Sequence, residues 1–378
     1  MLKTLRAMSD QVTLRVSVEY YMIVKSFSYH ALLNSEKSPG VNKKILGTVS
    51  AVCKLNIESE AYIVSPGIKG LFIFVRSLVV TKADVVMIRY SDLAFPFVFL
   101  AMLYGRCFGK QYIVDVPTPR VVGLKEYTSE IRNPIKRVCR KVLSVVLGSW
   151  VLFPSNLVIQ YAEEGWWYRL GLDNKILKIG NGLNVDTEIP LVQYCWPSEE
   201  LRLIAVAQLA KWHGYDRIIR AIAHFNSQSH FSVSLTIVGE GSEKIFLEQL
   251  VSDLNLWERV VFTGVLVGSD LDQVFLGKHA GVSSLGLYRK GLNEASDLKT
   301  REYMARGLCV IGAGFDPDFT KDNLFRHVVS NDAGIETIVE LFHAFFKCDL
   351  PNPQEVRNFA ERKLTLQSKL ATMFDLLG

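Results

Sequence analysis

Residues 201–263 run LRLIAVAQLAKWHGYDRIIRAIAHFNSQSHFSVSLTIVGEGSEKIFLEQLVSDLNLWERVVFT. The stretches Leu201–Ala207, Ser232–Val238 and Val260–Thr263 are short and rich in Val, Ile and Leu, with few polar residues among them. Strands buried on both faces read this way. Between them, Asp216–Phe225 and Glu243–Leu254 carry apolar residues three and four positions apart, the helical spacing. Strand alternating with helix predicts a parallel sheet with crossover helices on both faces. The pattern continues through helix Leu271–Leu276, strand Gly281–Ser284, helix Leu298–Arg306 and strand Cys309–Ile311. Helical periodicity at Ile335–Phe346 and Pro353–Leu377 closes the chain.

The front half repeats the theme. Strands are expected near Tyr20–Val24, Ala61–Val64, Val85–Arg89, Gln111–Val114 and Trp150–Phe153, with helices over Val41–Leu55, Ile68–Val80, Ala94–Cys107 and Asn133–Leu147. From Gly180 to Glu200 the pattern lapses into Gly, Asn, Asp and Pro, the composition of a linker. The expected organisation is therefore α/β with two Rossmann-like domains. Residues 1–17 form an extension, 18–185 the first domain, 186–200 the linker, 201–355 the second domain, and 356–378 a closing helix that packs back on the first. Two such units facing each other leave a cleft at the carboxyl ends of their strands, where ligands of such sheets bind.

Composition narrows the class. The chain is 49% hydrophobic and 21% charged, a globular balance. The first 190 residues hold 24 Lys and Arg against 15 Asp and Glu, a balance of +9; the remainder holds 19 against 23, or −4. A basic front half reads either as an evenly spread surface or as the footprint of an anionic partner. Six scattered cysteines without a C-x-x-C pair argue against a zinc site or a disulfide scaffold. Residues 142–162 carry no charge, but Gly148, Pro154, Ser155 and Asn156 break them up, so a helix end, a strand and a turn are expected rather than a span. No apolar core follows the basic N-terminus, so no secretory signal is read. Gly239-Glu-Gly241 is followed by Lys244 where a dinucleotide fingerprint needs a third glycine, which argues against an oxidoreductase.

The chemistry concentrates in Gly291-Leu-Asn-Glu-Ala-Ser-Asp-Leu-Lys-Thr-Arg-Glu-Tyr-Met-Ala-Arg-Gly307. Glu294 is expected in the loop before a helix, with Ser296 or Asp297 as its cap. Helix-start amides beside Lys299 would suit a diphosphate, and Glu302, one turn deeper, a ribose. An ordinary charged surface helix would show the same spacing.

This segment resembles the Glu-x7-Glu signature of family 4-type retaining glycosyltransferases of the GT-B fold. Further segments in family order resemble the same group: Ile179-Gly-Asn-Gly-Leu-Asn184, Val206–Ala221, Ile237-Val-Gly-Glu-Gly241, Val260–Gly264 and, in the front half, Gly40-Val-Asn-Lys-Lys-Ile-Leu-Gly47. The resemblance implies transfer of a sugar from a nucleoside diphosphate-sugar to a glycan or lipid-linked acceptor, with retention of configuration and no metal or other cofactor. It assigns the donor sugar to Glu294 and places Lys211, His213, Gly241, Ser296, Asp297, Lys299 and Glu302 around the donor. Gly40 and Val41 would form an acceptor or phosphate loop.

Departures from the family pattern matter too. Gln208 and His213 stand where the family usually has Arg and Lys, and Lys211 is a substitute for that charge. No His follows Gln111–Val114; Asp115 and Arg120 are the candidates for its place. A catalytically degenerate binding subunit and a nucleotide-sugar epimerase of the same fold remain alternatives. Lys136, Arg137, Arg140 and Lys141 among valines suggest peripheral contact with an anionic membrane at the cytoplasmic face. Nucleic acid is not expected, because no aromatic platform accompanies the charge.

Overall fold

A computed structural model describes residues 24–377 apart from 37, 132, 184–188, 195, 196, 198, 321, 322, 349 and 350. The described residues divide into two compact units, one up to Ile179 together with those from Leu366 on, the other from Gly180 to Thr365.

The first unit is built on a six-stranded parallel sheet in the order β2-β1-β3-β4-β5-β6. Its strands are β1 (Ser26–Leu32), β2 (Glu58–Val64), β3 (Val85–Arg89), β4 (Gln111–Val116), β5 (Leu157–Gln160) and β6 (Ile176–Lys178). Alternate strand residues separate two cores. Phe27, Tyr29, Val85, Met87, Ile113 and Ile159 face α1 (Pro39–Cys53) and the last helix, Leu366–Asp375. Val86, Ile88, Tyr112, Val114 and Val158 face α2 (Ile68–Val80), α3 (Phe95–Arg106) and the end of α5 (Pro134–Leu147). The remaining helices of this unit are α4 (Arg120–Glu130) and the single turn α6 (Trp166–Arg169).

Two expectations are corrected here. Trp150–Phe153 is a tight 3-10 turn ended by Pro154, not a strand; the strand is Leu157–Gln160, all four residues buried. The first strand is Ser26–Leu32, while the stretch expected at Tyr20–Val24 lies outside the described residues apart from Val24, which is not in a strand. Polar Ser28 and His30 disguised β1. Both are fully buried, and His30 bridges Ser77 Oγ (2.8 Å) and Ser28 Oγ (2.9 Å).

The second unit holds the parallel sheet β12-β11-β10-β7-β8-β9. Its strands are β7 (Glu200–Val206), β8 (Ser232–Val238), β9 (Val260–Gly264), β10 (Ala280–Val282), β11 (Cys309–Ala313) and β12 (Arg326–Val329). Leu203, Ala205, Leu235 and Ile237 face α7 (Tyr215–Gln228), α8 (Lys244–Asp253) and α11 (Glu336–Phe345). Ile204, Val238 and Val310 face α9 (Gly268–Phe275), α10 (Leu298–Ala305) and α12 (Pro353–Lys363). The C-terminal periodicity resolves into two helices. α12 stays with this unit, and α13 (Leu366–Asp375) packs Phe374 edge-on against Phe27 of the first.

Candidate functional site

β7 and β10 are neighbours at the centre of the second sheet, so the loops at their carboxyl ends meet. After β7 the chain passes Gln208 and Leu209 into a 3-10 turn, Lys211–His213, and then α7. Leu209 N donates to Glu240 O (2.8 Å), tying this loop to the one after β8. The two backbones lie so close that a side chain on Gly241 would strike the main chain of Leu209, 2.6 Å from its nitrogen. Close approach of this kind is what a glycine allows.

After β10 the chain zips onto the same turn. Leu285 N donates to His213 O (2.8 Å) and Gly286 N to Trp212 O (3.2 Å). Arg289 forks onto Asp216 (2.8 Å to each oxygen) and also donates to Lys211 O (2.9 Å). The Lys290 ammonium sits 3.9 Å above the Trp212 ring. Two cations from the β10 loop thus flank the turn that lacks the expected Arg; Gln208 itself is exposed.

Helix α10 follows. Tyr303 holds it to the sheet, its hydroxyl accepting from Val206 N (2.7 Å), and only a glycine at 281 leaves room for the Tyr303 ring. Asp297 occupies the N-cap position but does not cap the helix. Its carboxylate instead accepts from Ser283 Oγ (2.9 Å), which in turn accepts from Thr300 Oγ1 (2.9 Å). Ser296 does not cap either: its Oγ accepts from Asn181 N and its carbonyl from Asn181 Nδ2, both at 2.6 Å. The expected side-chain cap is therefore absent: Asp297 accepts from no first-turn amide of α10.

Electrostatics sharpen the picture. Burial alone would raise the Asp297 pKa, but Lys299 and the bonds from Ser284 and Ser283 hold it below its ordinary value. Burial drives Lys299 down to about 8, against the pull of Asp297. The Lys299 ammonium is buried without a hydrogen-bond partner, 5.7 Å from the Tyr215 ring. The Tyr215 hydroxyl is likewise buried and unpartnered. His213 stacks on Tyr215 (5.4 Å between centroids), and its Nδ1 accepts from Ala210 N at 3.3 Å. Burial first, and then the Lys299 charge, lower His213 to about 3, so the ring is neutral with its proton on Nε2. Lys299, Tyr215 and His213 thus make a donor-rich spot beside the Asp297 carboxylate, the Lys299 ammonium and Tyr215 hydroxyl having no hydrogen-bond partner.

Glu294 lies outside the helix, in the loop between Gly291 and α10. Backbone pairing with the β11 loop fixes it: Phe315 N donates to Asn293 O (2.7 Å), and Ala295 N to Phe315 O (3.0 Å). Glu302 is exposed on α10, one turn after Leu298, and Lys211 is exposed on its turn. The structure therefore gathers His213, Asp297 and Lys299, borders them with Lys211, and places Gly241 next to them through Leu209. Ser296 turns towards Asn181.

Sequence reasoning missed the scaffold beneath. Arg301 is fully buried, pairing with Asp316 and with Asp318, while its Nε donates to Asn181 O (3.0 Å). Asp318 also accepts from Gly180 N (3.1 Å). This network binds the Gly180-Asn181 segment to the start of α10. Its one signal in the sequence was an Arg facing a short helix's core, with Asp-x-Asp following the next strand.

The front-half candidates take other roles. Gly40 and Val41 are not in a loop but in the first turn of α1, where a side chain on Gly40 would meet open space. Asp115 is a fully buried residue of β4, accepting from Arg89 Nη1 (3.0 Å) and from the Tyr29 hydroxyl. Arg120 is buried at the start of α4. It donates to Gly148 O and Tyr168 O, while its main-chain N–H donates to Glu164 (2.7 Å). Both side chains are tied into the interior of the unit, although Asp115 Oδ1 and Arg120 Nε are left without a hydrogen-bond partner. Among the described residues no group of three His, Cys, Asp or Glu side chains is placed to hold a metal, and five cysteines are free.

Two parallel six-stranded sheets, each with helices on both faces, are the architecture of the GT-B fold, here with a polar site at the carboxyl edge of the second sheet. Residues 192–345, the segment that holds the site, match the family described as glycosyl transferases group 1. Solved structures similar to the whole chain include the apo form of the lipopolysaccharide outer core galactosyltransferase WaaB, with TM-score 0.63 and 14% identity over 92% of this chain and 98% of that one. Another is sucrose-phosphate synthase from Thermosynechococcus elongatus, with TM-score 0.62 and 14% identity over 93% and 99%. WaaG, a glycosyltransferase involved in lipopolysaccharide biosynthesis, follows with TM-score 0.58 and 12% identity over 92% and 99%. At these identities the likeness concerns the fold. No curated protein sequence matches the chain.

Proposed function

We propose that the protein transfers a sugar from a nucleoside diphosphate-sugar to a glycan or lipid-linked acceptor, with retention and without a metal. The observation that carries this reading is the buried, unpartnered Lys299 ammonium at the uncapped start of α10. Holding such a charge away from water is costly, and an anionic ligand is what offsets the cost. A diphosphate fits: Lys299 and the α10 amides face its oxygens, while neutral His213 donates from Nε2. As the bond from the anomeric carbon to the diphosphate breaks, negative charge grows on the leaving oxygen, where these fixed donors stabilise it. Glu294, held by backbone pairing, contacts the donor sugar, and Glu302 accepts from the ribose hydroxyls. The acceptor hydroxyl then bonds to the anomeric carbon from the face the diphosphate leaves, its proton passing to the departing diphosphate oxygen.

The test is a thermal-shift screen against UDP, GDP, ADP, CMP and their sugars, because a ligand of the folded state raises its melting temperature. A selective shift that Lys299→Ala abolishes is expected and names the base. No shift with any nucleotide overturns the donor site. Product analysis then separates transfer from epimerisation, since only transfer needs an acceptor.

A further inference from the structure

The first unit has a second feature that the transferase reading does not use. Helices α2, α3 and α5 cover one face of the first sheet, bound to it through Phe74, Leu78, Phe95, Val98, Met102 and Leu147. Their inward sides are ordinary core, but their outward sides are also apolar. On α2, Ile68 is 79% exposed and Phe72 73%; on α5, Ile135 is 73% exposed. Phe97, Leu100 and Leu103 continue the surface along α3, and Val138, Val142 and Val145 along α5. Only Ser144 and Leu147 of α5 are buried. An apolar surface spread over three helices is far more than the scattered exposed side chains of a soluble domain.

Aromatic residues rim this surface. Trp150 packs edge-on against Phe99 (5.2 Å) and donates to Val146 O (2.9 Å). Trp167 donates to Val145 O (2.7 Å), and Trp166 beside it is 75% exposed. Tryptophans with an anchored N–H and an open ring favour the headgroup region of a bilayer.

Charge decides the occupant. The three helices carry Lys69, Arg76, Arg106, Lys136, Arg137, Arg140 and Lys141, and not one Asp or Glu. A second copy docked by two-fold symmetry would set this face against itself, cation opposite cation with no carboxylate to answer. An apolar surface interspersed only with cations instead matches a lipid surface that offers both acyl chains and anionic headgroups. Among the described residues no helix is long and apolar enough to cross a bilayer, so the face would lie on the membrane.

We infer that the outer face of α2, α3 and α5, rimmed by Trp150, Trp166 and Trp167, is a docking surface for an anionic lipid bilayer. It rests on these helices alone and stands or falls apart from the donor site.

The experiment is flotation of the full chain with vesicles of phosphatidylcholine alone or mixed equally with phosphatidylglycerol. The expected result is binding to the mixed vesicles only, weakened by salt, with a blue shift of tryptophan emission. The variant Lys69→Glu/Arg76→Glu/Lys136→Glu is expected to lower the partition coefficient by about a hundredfold or more, each lost cation counting for roughly fivefold. Ile68→Ser/Phe72→Ser/Ile135→Ser is expected to abolish the blue shift. All six positions are exposed, so unchanged melting curves check that both variants fold. Failure to bind the mixed vesicles, or equal binding by wild type and both variants, overturns the inference. So does a lipid-free dimer that the serine variant dissociates. Nucleotide binding measured on the same samples keeps the two readings apart: it is retained if only the docking face is wrong.

Discussion

Replacing Lys299 by methionine should stabilise the unliganded protein while weakening its affinity for nucleotide, two effects of opposite sign from one side chain. Burial lowers the Lys299 pKa from 10.5 to about 8. At ~1.36 kcal/mol per pH unit, that difference makes the charged form about 3 kcal/mol less favourable in the folded protein at neutral pH. Methionine keeps the aliphatic volume and removes the charge. Asp297 then loses a cation that holds its own pKa down, although its bond from Ser283 remains (2.9 Å). That attraction is already contained in the pKa of about 8; imperfect filling of the lysine's space by methionine offsets roughly half the gain, leaving a net stabilisation of about 1–2 kcal/mol. For a unit of this size that is a rise of about 3–6 °C in Tm. The sign with pH follows. Between pH 8 and 10.5 the folded state binds fewer protons than the unfolded one, so the wild type gains stability with rising pH across that window. The methionine variant lacks this gain, and the difference between the two proteins closes by about pH 10.5. Meanwhile loss of a charge-assisted contact to a diphosphate costs about 1.5–3 kcal/mol, or roughly ten- to a hundredfold in Kd. Thermal unfolding over pH 7 to about 10.5 and calorimetric titration with the nucleotide found in the screen measure both. A lower Tm with unchanged Kd would falsify the argument, because a purely structural lysine behaves that way.

Glu294→Ala should abolish transfer with Tm and nucleotide affinity nearly unchanged, since backbone pairing to Phe315 holds the loop; full activity in a product assay would remove Glu294 from the site. Glu302→Ala, on the exposed side of α10, should weaken donor binding severalfold without altering stability, and equal affinity by calorimetry would refute the ribose assignment. Arg301→Met should behave in the opposite way. It strands Asp316 and Asp318, whose side chains are only 1% and 5% exposed, so about 3–5 kcal/mol is lost and Tm falls by roughly 10 °C. A melting curve like the wild type's would mean that the buried network is not what anchors α10.

The regular elements of the second half could be read locally, and most match the structure within a few residues. Ser232–Val238 coincides with β8, and Leu298–Arg306 overlaps α10 to within one residue. Apolar periodicity and short buried runs are properties of neighbouring residues, and a chain displays them before it folds. β1 escaped because Ser28 and His30 look solvent-facing until Ser77, on a helix further along the chain, supplies their partners. Trp150–Phe153 was misread because an apolar run states that it is buried, not in which conformation.

The sequence alone determined the two α/β units, the segment Gly291–Gly307 as the place where chemistry gathers, and Glu294 as a loop residue. Only the tertiary structure decided which charges are available there. It tied Asp115 and Arg120 into buried networks, turned Asp297 from helix cap to acceptor for Ser283, and brought Arg289 and Lys290 to the turn that lacks its own arginine. It left the Lys299 ammonium without a partner. A side chain's type fixes what it can donate or accept. Whether that capacity is already spent depends on groups tens of residues away, which only the folded chain brings within a few ångströms.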